Sequence, residues 1–128
     1  MPDATPVLSA HAPAPVGPYS QAIRSGGFIF CSGQIPLDPA TGDLVPGDVG
    51  AQTHQVMKNI SAVLAAADAT FENVVKTTIF LLDMADFAAV NAVYGERFGS
   101  LPPARSTVGV AALPLGARVE IEAIASTG

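Results

Sequence analysis

Val74 to Leu82 reads VVKTTIFLL, a nearly continuous run of apolar and β-branched residues. That composition marks a strand covered on both faces. On either side of it the hydrophobic period changes. Before it, Val49, Val56, Ile60, Val63, Leu64 and Ala67 recur at three- and four-residue spacings, giving the apolar face of one helix. Asp48 stands where an N-cap is needed. After it, Phe87, Val90, Tyr94 and Phe98 line one side of a second helix, with Gly99 near its end and Pro102-Pro103 blocking further turns. A strand set between two helices restricts the chain to folds that layer helices on a sheet.

The remaining segments read as strands and loops. Tyr19 to Arg24, Gly26-Gly27 and Phe28 to Ser32 form strand, tight turn and strand, since paired glycines supply the positive φ of a short hairpin. IPLDPATGDLVPGD is a loop punctuated by proline and glycine, with one short strand at Leu44-Val45. Two last strands, about Ala104 to Ala112 and Arg118 to Ser126, flank the LPLGA turn as a second hairpin. The expected class is α+β: a mixed sheet with both helices on one face, in a single domain spanning 1–128 whose first 14 residues are irregular. Apolar residues make up 49% of the chain, so a sheet face left bare by the helices is expected to meet another subunit.

Charge narrows the function. The net charge is −5, and six Lys plus Arg form no cluster, so neither a nucleic-acid footprint nor a basic membrane patch is present. No apolar run approaches the roughly 20 residues that span a bilayer, and the N-terminus lacks a signal-peptide pattern. The lone Cys31 suits a reducing compartment, and a cytoplasmic location is expected.

Familiar catalytic constellations are missing. His11 and His54 belong to no metal-ligand spacing, and no glycine-rich phosphate loop is present. Cys31 lies in the strand FIFCSG and reads as a packed core thiol. Ser20, Ser32 and Ser106 sit in no nucleophile elbow. The other chemistry-bearing residues gather near the C-terminus. Strand alternation puts Arg105, Thr107 and Gly109 on one face, and Arg118, Glu120, Glu122 and Ile124 on one face of the last strand. These charges fit a solvated face, an ion pair spanning the two strands, or a site. Arg105 is the sole charge between Arg97 and Arg118 and follows a rigid Pro-Pro, which suits a guanidinium gripping a planar carboxylate.

Five blocks then carry a resemblance: GPYSQAI (Gly17 to Ile23), CSGQIPLDPATG (Cys31 to Gly42), VVKTTIFLLDMADFAAVNAVYGERF (Val74 to Phe98), PPARSTV (Pro102 to Val108) and VEIEAIA (Val119 to Ala125). In order, they closely resemble the RidA/YjgF family of imine deaminases. The resemblance implies a chorismate-mutase-like fold with a six-stranded sheet and two helices on one face. It also implies a homotrimer with three clefts between subunits. The implied activity is hydrolysis of 2-imino acids and enamines such as 2-aminoacrylate to 2-oxo acids and ammonia, without a cofactor or metal. Carried over by motif, Arg105 would clamp the substrate carboxylate and Glu120 would orient water and assist proton transfer. Tyr19 and Ser32 would line the cleft, and Gly33 would let backbone approach the ligand. The family commonly has cysteine where this chain has Thr107, which keeps a small hydrogen-bonding group but no thiol. Glu122 is assigned a structural role, pairing with Arg118 or a neighbouring subunit. Two rival readings are a ribonuclease that inhibits translation and a ligand-binding or chaperone-like trimer without turnover.

Overall fold

The eight-residue run at Val74–Leu81 forms β4 at an inner position of a six-stranded sheet, in a computed structural model that describes residues 3–127. The elements follow as β1 (Thr5–Val7), β2 (Ala22–Ser25), β3 (Phe28–Gln34), α1 (Val49–Ala66), β4, α2 (Phe87–Gly95), β5 (Ala104–Gly109) and β6 (Val119–Ser126). Across the sheet the order is β1-β2-β3-β6-β4-β5, antiparallel except for the parallel pair β4 and β5. The α+β architecture expected from the sequence is the one observed.

Packing follows the alternation of the strands. Val119, Ile121, Ala123 and Ala125 of β6 and Thr77, Ile79 and Leu81 of β4 are buried under the helices. Val56, Met57, Ile60, Val63 and Leu64 of α1, all at most 1% exposed, pack on that face. Truncating Ile121 or Leu64 to alanine would remove about 2–5 kcal/mol of stability. Asp48 caps α1, its carboxylate accepting from Ala51 N at 2.9 Å. At the other end of α1, Arg24 of β2 donates to the Ala67 carbonyl at 2.6 Å, placing a cation at the negative pole of the helix.

Five sequence expectations change. β4 is covered on one face only, because both helices lie on the same side; Val75 is exposed, and Lys76, Thr78 and Phe80 are half-buried. The sixth strand is Thr5–Val7, within the stretch read as irregular, and it pairs with β2 as an edge that tolerates Pro6. Leu44 makes only an isolated bridge with Leu37. The last two strands are not a hairpin, since β4 lies between them and α2 carries the chain over to a parallel β5. Finally, α2 stops at Gly95, where glycine weakens the helix. Phe98 lies beyond it yet still packs on Tyr94, with ring centroids 4.8 Å apart.

The helix-free face is not the Ile, Val and Ala surface expected. It carries Phe28, Phe30, Ile124, Phe80 and Val108 together with Lys76, Glu120 and Glu122. Phe28, Phe30 and Val108 are each more than 40% exposed.

Candidate active site

The edge of this bare face holds a cleft built around an irregularity in the β3–β6 ladder. Cys31 pairs with Ala123 and Gln34 with Ile121, so Ser32 and Gly33 together oppose Glu122. One extra residue in β3 makes a β-bulge, which breaks pairing and turns the strand. Gly33 lies beneath the carboxylate of Glu120, and a Cβ there would collide with Glu120 Oε2. Gly33 thus makes room for the Glu120 carboxylate itself, beside the backbone approach expected of it.

Tyr19, Ser32, Gly33, Glu120 and Glu122 line this cleft of about 730 Å³. Tyr19 is half-exposed, and its hydroxyl accepts from Val16 N at 3.4 Å. Ser32 donates its hydroxyl to the Ser20 carbonyl at 2.6 Å, which commits its one proton and leaves lone pairs to accept. Asn59 of α1 donates to the Ile35 and Leu37 carbonyls at 3.3 and 2.9 Å, fixing the apolar part of the wall. Burial pushes the Glu120 carboxyl above its ordinary range, and the negative charge of Glu122 adds to the rise. No hydrogen-bond donor among the described residues meets that carboxylate, so it is open to a water molecule.

Arg105 lies elsewhere. It pairs with Thr77 across β5 and β4, in the row that continues to Ala123 and Cys31 on the helix-covered face. Its guanidinium donates to Asn91 Oδ1 at 2.7 Å and sits 5.2 Å from the Tyr94 ring centroid and 5.6 Å from that of Phe87. Tyr94 is held in turn by a 2.7 Å hydrogen bond between its hydroxyl and that of Thr77. Burial raises the Tyr94 phenol, while the Thr77 bond and the Arg105 charge oppose that rise. Arg105 borders a second cleft, of about 450 Å³, with Asn91, Tyr94, Pro102 and Pro103. Arg105 and Glu120 thus occupy opposite faces of one sheet, with β4 between their strands.

Comparisons with known proteins identify the family and the fold. Residues 9–127 match the family model described as endoribonuclease L-PSP. The chain belongs to the RidA/YjgF family. A curated relative from Mus musculus, 2-iminobutanoate/2-iminopropanoate deaminase, is 51% identical over 95% of this chain and 90% of its own. RidA from an Antarctic Psychrobacter superposes with a TM-score of 0.92 at 43% identity, covering 95% of this chain and 98% of that one. E. coli TdcF with bound serine gives 0.90 at 38% identity, covering 97% and 99%.

Within this RidA/YjgF chain, Thr107 shares the helix-side face with Arg105 and pairs with Ile79. Its hydroxyl is buried and has no hydrogen-bond partner among the described residues. The pairing expected between Arg118 and Glu122 is absent; Arg118 instead donates to both carboxylate oxygens of Asp86 at 3.0 Å. Glu122 lines the cleft. Cys31 is buried and its thiol is pushed up to about 11 by desolvation, in keeping with a core thiol. Among the described residues no group of His, Cys, Asp and Glu could hold a metal ion, and no helix is long and apolar enough to cross a membrane.

Sequence reasoning did not single out Asn91 or Gln21. Asn91 falls four residues after Phe87 and three before Tyr94, so helical spacing sets all three on one side of the helix, the side that meets Arg105 in the structure. Nothing in the sequence marks Gln21, whose partners lie eight and twelve residues away.

Proposed function

We propose that this chain hydrolyses 2-imino acids and their enamine tautomers to 2-oxo acids and ammonia, as a homotrimer whose sites lie between copies. The observation that carries this reading is the Glu120 carboxylate standing over Gly33, unpaired and with a raised pKa, in a cleft lined by no Lys, Arg or His. Two carboxylates repel an anionic substrate unless a cation is brought to them. The cation held in place for this is Arg105, locked by Asn91 and the Tyr94 and Phe87 rings at the edge strand of the sheet. A second copy packed against the bare face brings its Arg105 to the Glu120 cleft of the first. The name of the mouse relative supports the reaction class.

The chemistry balances with one water and no covalent enzyme intermediate. Arg105 grips the substrate carboxylate through parallel hydrogen bonds and sets C2 against the cleft. A water held by Glu120 attacks C2 of the imine, whose C=N electron pair moves to nitrogen. Glu120 takes a proton from the water and returns it to that nitrogen, giving a carbinolamine. It then carries the carbinolamine hydroxyl proton to the same nitrogen as the C–N bond breaks, the C=O bond forms and ammonia leaves. A carboxylate pushed above its ordinary range is a stronger base than an exposed one, which suits this exchange. Tyr19 and the accepting lone pairs of Ser32 border the site, and Thr107 supports the Arg105 strand.

The cleft carboxylates and the net charge of −5 disfavour the ribonuclease reading, since both repel phosphate. The test is a coupled assay in which an amino-acid oxidase generates the imine and semicarbazide traps it. Wild-type protein should lower trapping, and Arg105→Ala should not. Equal trapping with and without wild-type protein would remove the enzyme reading and leave ligand binding without turnover.

A further inference from the structure

The cleft beside Glu120 is walled in part by Pro13, Ala14 and Val16, which belong to no helix or strand. What fixes this stretch is a single side chain. Gln21 is 2% exposed, although it is neutral, polar and adjacent to the apolar core. Its Oε1 accepts from Ser9 N at 2.6 Å, and its Nε2 donates to the Ser9 and Pro13 carbonyls at 3.2 and 2.9 Å. One acceptor and both donors of the amide are used on one segment, so the group is satisfied by the wall. The remaining ties of that segment to the rest of the chain are few. Ala12 is buried in the core, and Val16 N donates to the Tyr19 hydroxyl at a long 3.4 Å. Gln21 also lines the same cleft and precedes β2, so it links the sheet directly to the wall.

We infer that Gln21 is a positioning residue that sets the wall of the substrate cleft and thereby its fit to the substrate side chain. The inference rests on the deaminase reading above. No other side chain of this length presents one acceptor and two donors on adjacent atoms. Leucine keeps the volume but abandons three backbone groups; glutamate keeps the acceptor and loses both donors. A loosened wall contacts the substrate less well, while Glu120 and the bulge beneath it stay in place. The loss therefore appears in substrate binding more than in the chemical step. It grows with the size of the apolar side chain, because a longer chain has more wall to touch.

The experiment compares wild type, Gln21→Leu and Gln21→Glu with imines generated from alanine and from leucine. Amide exchange at Ser9, His11 and Val16, the hydrogen-bonded amides of the wall segment, is measured alongside exchange in β3 and α1. For Gln21→Leu, KM should rise about threefold for the alanine imine and about tenfold for the leucine imine, with kcat within about twofold. Gln21→Glu, whose carboxylate would face the Ser9 and Pro13 carbonyls, should be impaired at least as much as Gln21→Leu. Exchange at these three amides should quicken about tenfold in Gln21→Leu while β3 and α1 are unchanged. If either variant fails to fold, the other decides alone. Unchanged KM for both imines, an equal rise for both, or exchange that quickens throughout the protein would overturn the inference. A wild-type protein without imine hydrolysis would defeat the deaminase reading instead, and the exchange measurement would still decide whether Gln21 holds the wall.

Discussion

The two candidate halves of the site are held in opposite ways. Arg105 is clamped: an amide, two aromatic rings and the Thr77–Tyr94 bond fix its guanidinium on the helix-covered face. Glu120 is exposed to its cleft, with no hydrogen-bond donor among the described residues and a glycine beneath it to give it room. The difference suits the roles proposed. A clamp must arrive already shaped for a planar carboxylate, because ordering a flexible guanidinium at each turnover would cost binding energy. A base must keep lone pairs for a water and a proton, so protein donors would only compete. On the reading proposed, the separation leaves one protomer with half of each site.

The largest effect tests that separation. Arg105→Ala should lower kcat/KM about 100-fold, some 3 kcal/mol of lost charge pairing, while circular dichroism stays as in wild type. Glu120→Gln should be similarly impaired. Unfolding and refolding the two inactive chains together should restore roughly a quarter of wild-type activity, because about one interface in four then joins an intact Arg105 to an intact Glu120. No recovery in a mixed trimer, shown by mass spectrometry to contain both chains, would place both groups within one protomer and break the comparison.

Next in size is Gly33→Ala. The added methyl meets the movable end of the Glu120 side chain, so the fold bears little of the cost and the carboxylate must swing away. Activity should fall about tenfold through misplacement of the base, with Tm within a few degrees of wild type. A loss of stability without a matching loss of activity would show that Glu120 needs no fixed place.

A smaller effect concerns pH. Burial is the first cause of the raised Glu120 carboxyl and Glu122 the second, so Glu122→Gln should move the acid limb of kcat/KM modestly to lower pH. The sign follows for stability too. A folded-state pKa above the unfolded one favours the protonated form, so the contribution is fully present below the unfolded pKa. It is lost as pH rises through the folded pKa. Denaturation measured across that window should show wild type losing stability with rising pH and Glu120→Gln losing less. An acid limb that does not move on Glu122→Gln would detach the two carboxylates from each other.

The smallest effect is on the Arg105 side. Thr107→Val replaces a buried hydroxyl that has no partner among the described residues with a group of the same shape. Stability should rise by about 1 kcal/mol and Tm by a few degrees, with activity near wild type. A large loss of activity would show that the hydroxyl reaches the substrate when the copies assemble.

Part of this was legible in the amino-acid order. Local patterns decide local structure, so the period of Val49 to Ala67 gave α1 and the placement of Asp48 gave its cap. The run from Val74 gave β4, and the motifs around Tyr19, Arg105 and Glu120 pointed to the family. Alternation correctly grouped Arg105 with Thr107, and Glu120 with Glu122. What alternation cannot state is which face each group takes. That is decided by where the helices lie and which strands pair, and those contacts join residues far apart in the chain. The bulge at Ser32-Gly33, the Arg118–Asp86 pair and the three bonds of Gln21 arise in the same way.

The sequence alone therefore determined the elements and the chemical inventory, because hydrophobic period and residue type act over a few neighbouring positions. The tertiary structure alone decided that the guanidinium and the carboxylate stand on opposite faces of the sheet. Strand order and helix placement are set by long-range burial of apolar surface, and no local pattern encodes them.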